Sequence, residues 1–210
     1  VWYRLLAPLL GGSVFTFGLV LAMALAGIGI GGLLYALLAG DKPATPSGFA
    51  LSCLVEAAAV AGTYALGDRV ALLALVLQPL RAVGFGAHIA GWTIITALGV
   101  LPPALVAGYQ FPLLIALLGR GRERIGRQIG LTYAANTLGA IVGALAGGFG
   151  VLPWLSAPGA WRLVAAVLVL LGIASMMVAV MNGTSDGGPS RLNRIVQPDV
   201  LLQTSLAVGA

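Results

Sequence analysis

Charge is what this sequence has least of. Only 8% of its 210 residues are Asp, Glu, Lys or Arg, where ordinary soluble domains carry roughly 25%. A chain so poor in charge cannot cover a water-facing surface, which excludes an ordinary soluble domain. Cysteine is nearly absent too. Cys53 is alone and lies in an apolar run, so no intrachain disulfide forms. Histidine is equally scarce. His88 stands alone, which leaves no Cys/His metal cluster, and it reads as an interfacial residue rather than a ligand. The six acids include no paired carboxylates, and there is no H-E-x-x-H or Walker loop. No catalytic residue, cofactor or metal is therefore expected in this chain. A net charge of +5 raises the question of nucleic acid. The basic residues sit between apolar runs without interleaved aromatics, so nucleic acid is not the expected partner.

What is present is hydrophobic. Residues of the apolar class make up 60% of the chain, and the mean hydropathy is +1.04. This is the composition of an all-α polytopic membrane protein whose first partner is the lipid bilayer. A bilayer crossing needs about 20 apolar residues. Complete runs cover 13–39, 49–66, 89–118, 129–152 and 163–181. A shorter piece, 70–80, is too short to span and predicts an interfacial or re-entrant helix. Pro102-Pro103 predicts a kink or break in the third run. PWLSAPGAW, 153–161, predicts a loop with tryptophans in the headgroup belt. Residues 182–210 open with NGTSDGGPS, a linker composition, and predict a polar tail. Asn182-Gly183-Thr184 matches a glycosylation sequon, but a cytoplasmic tail would not be modified there. No charged n-region marks a signal peptide. The chain begins without methionine in VWYRLLAPLLGG and stops in LLQTSLAVGA, as expected of a fragment.

Lys and Arg set the expected orientation. Lys42, Arg120, Arg122, Arg124, Arg127, Arg191 and Arg194 fall on one side, and Arg4, Arg69, Arg81 and Arg162 on the other. The richer side is expected in the cytoplasm, together with the C-terminal tail, and the chain in the inner (plasma) membrane.

GIGIGG, 27–32, fits G-x-G-x-x-G through Gly27, Gly29 and Gly32. A dinucleotide turn needs a strand before it, a helix starting at it and an acid about 20 residues on. Here the glycines lie inside one apolar run, and neither Asp41 nor Glu56 fits as that acid. Gly27 and Gly31 instead form G-x-x-x-G. In the fourth run Ala135, Gly139, Gly143 and Gly147 recur every four residues, beside a ridge of Thr132, Asn136, Ala140, Ala144 and Gly148. Such faces let helices approach closely in lipid, where hydrophobic drive between them is small. These glycines are expected to pack helices, or to form a smooth face that slides during transport.

Glu56 is the one acid deep in a span. An ionised carboxylate at mid-bilayer costs about 2.5 kcal/mol or more, so it faces protein or water, or is protonated. Two readings stay open: a cation or proton site, and a protonated acid bonded to a neighbouring helix. Tyr109, Gln110, Tyr133, Asn136 and Thr137, with Thr63 and Tyr64, are the other candidates for a polar cavity. The alternative for each is interhelical hydrogen bonding. The proline pair frees carbonyls of the kind that serve ion or substrate sites.

VWYRLLAPLLGGSVFTFGLVLAMALAGIGIGG, LPPALVAGYQFPLLIALLGRGR and YAANTLGAIVGALAGGFGVLP together resemble the membrane portion of fused MFS/spermidine synthase-like proteins. In these bacterial proteins a major-facilitator-like helix set is joined to a polyamine aminopropyltransferase-like domain. The resemblance covers most of residues 1–181, and N-T-x-G-A-x-x-G-x-x-x-G-G-F, 136–149, is its most specific part. It implies one six-helix half of a major facilitator, with residues 1–12 the end of a truncated first helix. GDKP is similar to the turn after the second facilitator helix, but it has one Lys and no following Gly-Arg. The resemblance implies a module that anchors a cytoplasmic enzyme domain and moves a polyamine or related solute, with Glu56 as the partner of the cation. A transporter half without an enzyme, a purely structural anchor and a homo-oligomer remain open. The enzyme domain's glycines and catalytic acid have no counterpart here.

Overall fold

The computed structural model describes residues 2–10, 12–39, 43–118 and 125–185. Among them every regular element is helical: α1 (Trp2–Leu10), α2 (Val14–Ala39), α3 (Pro46–Ala65), α4 (Gly67–Leu77), α5 (Leu80–Val83), α6 (Phe85–Leu118), α7 (Ile125–Leu145) and α8 (Leu152–Ser185), with a π-turn at Ala146–Val151 between the last two. The all-α class expected from composition is the observed one. Four segments among the described residues are long and apolar enough to cross a membrane: Val14–Ala39, Pro46–Ala65, Phe85–Leu118 and Ile129–Met181.

Each boundary has a local cause. Gly12, at φ +60°, turns the chain between α1 and α2. The fully buried Thr16 hydroxyl closes that turn by donating to the Leu10 carbonyl at 3.2 Å. Thr45 caps α3, its hydroxyl accepting from the Gly48 amide at 3.1 Å, and Pro46 occupies the first turn where no N–H is needed. Outward faces are apolar as well. Phe15, Leu25, Leu37, Leu72, Ile141 and Leu170 are all exposed, an arrangement suited to lipid rather than water.

Two helix pairs build the bundle. α2 and α6 run parallel: Phe15 meets Phe85 near their starts, and Tyr35 meets Tyr109 further along. Between these contacts α2 buries Val20, Gly27 and Gly31 on one face. Gly27 lies against Ala104, Gly31 against the Leu105 backbone, and Gly108 against the Ile28 backbone. Glycine is required along this seam, because an added Cβ would meet main chain at Gly31 and Gly108 and the Ala104 Cβ at Gly27. The second half of α8 runs antiparallel to α3. Trp161 Nε1 donates to the Val60 carbonyl at 2.6 Å, Gly172 lies on Ala50, and Ser175 Oγ donates to the Pro46 carbonyl at 2.7 Å. α3 is antiparallel to α6, with Thr63 beside Gly99 and Ser52 sharing a cavity with Tyr109. The main hydrophobic cluster, Leu6, Leu10, Val20, Ile95 and Val100, sits where α1 packs under α2 and α6.

Several expectations change. α6 does not break at its proline pair; it is one helix from Phe85 to Leu118 through Pro102, Pro103 and Pro112. Proline at 103 leaves the Gly99 carbonyl without its helical donor. The Thr63 hydroxyl lies beside it, donating its one proton to the Ala59 carbonyl at 2.9 Å, with the Gly99 oxygen 3.4 Å away. The predicted loop at 153–161 is a kink in α8 at Ser156, with φ 59° and ψ 175°. Trp154 is exposed, but Trp161 is buried against α3 instead of joining a headgroup belt. The piece expected as a short helix at 70–80 is helical, as α4 followed by α5; the last membrane-length apolar stretch ends at Met181 as expected, while α8 itself continues to Ser185. Lys42, Arg120, Arg122, Arg124, Arg191, Arg194 and the tail from 186 lie outside the described residues.

Candidate functional site

The polar candidates divide among three places. Glu56 stands half-buried on α3, one turn from buried Cys53. Its carboxylate faces the side-chain amide of Gln110 on α6, within electrostatic hydrogen-bonding range. Gln110 Nε2 is buried and has no partner at hydrogen-bond distance among the described atoms. No basic side chain among the described residues pairs with Glu56. An acid and an amide thus face each other across two helices, and the buried amide nitrogen has no partner at hydrogen-bond distance among the described atoms, which is costly for a buried polar group.

Gln110 also lines a groove of about 530 Å³ between α2, α3, α6 and α7. Tyr133 and Asn136 line its α7 side, with Phe49 and Phe111 as apolar walls. The ring of Phe111 meets that of Tyr133 edge-on, centroids 5.0 Å apart, and so fixes the tyrosine at the mouth. Glu56 meets the groove through Gln110. The groove therefore offers an amide pair from Gln110 and Asn136 and aromatic rings, with the Glu56 carboxyl group next to Gln110. That set suits a small organic cation: the carboxylate and amide oxygens accept its N–H groups, and the ring faces attract its charge.

Tyr109 is not part of this groove. Its ring packs edge-on against Tyr35, centroids 5.2 Å apart. It lines a separate cavity of about 370 Å³ with Ser52, Val55 and Leu105. Thr137 is exposed and donates to its own helix at the Tyr133 carbonyl, 2.9 Å away. Tyr64 lies at the end of α3, under Arg162, whose guanidinium carbon is 6.0 Å from the ring centroid. The glycines divide as well. Gly27 and Gly31 lie in the α2–α6 seam, whereas Gly139, Gly143 and Gly147 face open space, with no atom near enough to meet an added Cβ. α7 turns that small-residue face away from the rest of this chain. Gly147 also falls in the π-turn, where i to i+5 winding ends the four-residue register.

Sequence reasoning missed Tyr35 and Ser52, and it missed a cluster of Gln78, Arg81 and His88 around a second cavity. Tyr35 is the only aromatic residue near the end of its run, a weak signal. The pairing of residues 54 positions apart, such as Glu56 and Gln110, leaves no trace in one sequence. Among the described residues no three His, Cys, Asp or Glu side chains come together to hold a metal. Comparison of the chain with known protein families, with curated proteins and with solved structures gives no match.

Proposed function

We propose that this chain is the membrane domain of a spermidine synthase-like fusion protein, and that its groove takes up a small organic cation of the polyamine class. The observation that carries the reading is the Glu56 carboxylate, without a basic partner among the described residues, facing Gln110 at the wall of a 530 Å³ groove. The resemblance of residues 1–181 to that family supplies the enzyme domain and the polyamine; the groove supplies a chemistry that fits one. We further propose five crossings. α2, α6 and the second half of α8 point one way and α3 the other. A return crossing through α7 and the π-turn joins α6 to α8. This arrangement puts the C-terminal ends of α2, α6 and α8 on one face, which agrees with placing Lys42, the arginines after Leu118 and the tail in the cytoplasm.

A transporter half with no enzyme role is the second reading. The small-residue face of α7, open at Gly139 and Gly143, favours it, because a second half would find a close-packing seam there. The test of the binding site is uptake of radiolabelled spermidine into proteoliposomes holding the full chain. Glu56→Gln is expected to lower uptake by about ten-fold or more, the worth of one charge-assisted hydrogen bond. Parent protein that is folded but takes up no more than empty vesicles, or a Glu56→Gln variant with full uptake, overturns the proposal.

A further inference from the structure

The second cavity lies at the end of the bundle where α2 and α6 begin. Its volume is about 370 Å³, within the range of small-ligand sites. Its floor is apolar, formed by Leu10, Leu77 and Ile95 from α1, α4 and α6. Its rim is basic and polar, with Gln78, Arg81 and His88. No acidic side chain lines it, and Arg81 has no acidic partner among the described residues. Asp68 lines a different cavity, shared with Leu6, Thr63 and Tyr64. Ser13, just before α2, also lines the basic cavity, and His88 stands in the first turn of α6. Two long helices thus turn their positive ends toward it, adding to the field of Arg81. The His88 ring is stacked at a tilt on Trp92, centroids 4.3 Å apart, which holds the imidazole at the rim.

A basic rim over an apolar floor describes two halves of one ligand. The guanidinium of Arg81 suits a phosphate, offering several N–H donors in a planar fork. The floor suits the start of an acyl chain. A free phosphate would leave the floor empty, and an acyl chain alone would leave Arg81 unpaired. We infer that the cleft between α1, α4–α5 and α6 binds the phosphodiester headgroup of an anionic membrane lipid through Gln78, Arg81 and His88. A net-negative headgroup is selected over a zwitterionic one, since no carboxylate lines the site to receive a choline. This site is separate from the Glu56 groove, and its occupancy is independent of transport.

The full chain is reconstituted in nanodiscs of equal phosphatidylglycerol and phosphatidylcholine, and the lipid retained after detergent extraction is measured by native mass spectrometry. Phosphatidylglycerol is expected to be retained about five-fold over phosphatidylcholine, the effect of one basic residue near a headgroup. Arg81→Gln, and separately Gln78→Glu, bring retention to parity. Arg162→Gln, on the Tyr64 side of the bundle, keeps the preference. Far-UV circular dichroism and gel filtration identify which variants are folded, and either folded variant suffices. Equal retention of the two lipids by the parent protein overturns the proposal, as does full preference in a folded Arg81→Gln or Gln78→Glu variant. Displacement of phosphatidylglycerol by millimolar inorganic phosphate overturns it as well, because the site would then belong to the free ion.

Discussion

Gly31 offers the sharpest test of the bundle. A Cβ built at that position would lie 2.9 Å from the Leu105 carbonyl carbon and 2.9 Å from the Tyr109 amide nitrogen, and closer still to the Leu105 oxygen. Ordinary contact begins near 3.4 Å, and the Leu105 oxygen is the closest obstacle, so α2 and α6 must separate by roughly 1 Å or more. All three obstacles are main-chain atoms, and no side-chain rotation relieves them. A gap of about 1 Å forfeits roughly half of each dispersion contact along the seam. Overpacking of this kind costs about 1–3 kcal/mol. Helix propensity works in the opposite direction and favours Ala over Gly by about 1 kcal/mol. Because the closest obstacle is a main-chain oxygen, the upper end of that range applies, and Gly31→Ala is expected to destabilise the protein by about 2 kcal/mol net. Gly139→Ala meets open space and is expected to stabilise it by up to about 1 kcal/mol. The assay is reversible unfolding in mixed micelles by SDS titration, followed by circular dichroism and tryptophan fluorescence. A Gly31→Ala protein as stable as the parent would refute the close approach of α2 and α6. Gly108→Ala, on the facing helix against Ile28, should behave like Gly31→Ala, and the double variant should lose less than the sum because both open the same seam.

Two further outcomes follow from the α8 geometry. Trp161→Phe keeps one aromatic ring but removes the bond to the Val60 carbonyl and leaves a void at a buried site, so the same titration should show a loss greater than the roughly 0.6 kcal/mol typical of an interhelical bond in a membrane. Ser156→Gly relieves a positive φ and should raise stability by about 1 kcal/mol; a loss there would show that the hydroxyl, not the backbone, matters at the kink.

The helical class was legible because uninterrupted apolar runs of spanning length have no alternative in a charge-poor chain. The start of α3 was nearly legible, since Thr45-Pro46 follows a polar turn and carries its own capping chemistry. The prolines of α6 misled in part. Proline in a helix interior reads as a kink or a break, and only the packed structure shows one continuous helix, with Thr63, 36 residues earlier, beside the buried Gly99. The kink at Ser156 misled the other way. Proline, glycine and serine there read as a loop, yet one left-handed residue turns the chain while the helices on both sides continue. Glu56 was legible as a lone acid in an apolar run. Its neighbour Gln110, and the groove that joins Gln110 to Tyr133 and Asn136, depend on tertiary contact between α3, α6 and α7. The four-residue glycine pattern was legible as a face but not as to whether that face is covered. The same pattern is packed at Gly27 and Gly31 and open at Gly139 and Gly143.

α6 has 34 residues, a rise of about 51 Å. The hydrocarbon layer is only about 30 Å thick. Tilt alone would have to reach about 54° to hide the whole helix, beyond the roughly 0–40° that membrane helices adopt. α6 must therefore emerge from the hydrocarbon, and at moderate tilt it reaches through both polar layers of the bilayer. α3, with 20 residues, rises about 30 Å and matches the hydrocarbon alone. Two helices in contact thus prefer slabs of different thickness. A thicker bilayer immerses more of α6 and stretches past the ends of α3, so bilayer thickness acts as a mechanical load on the contact where Glu56 faces Gln110.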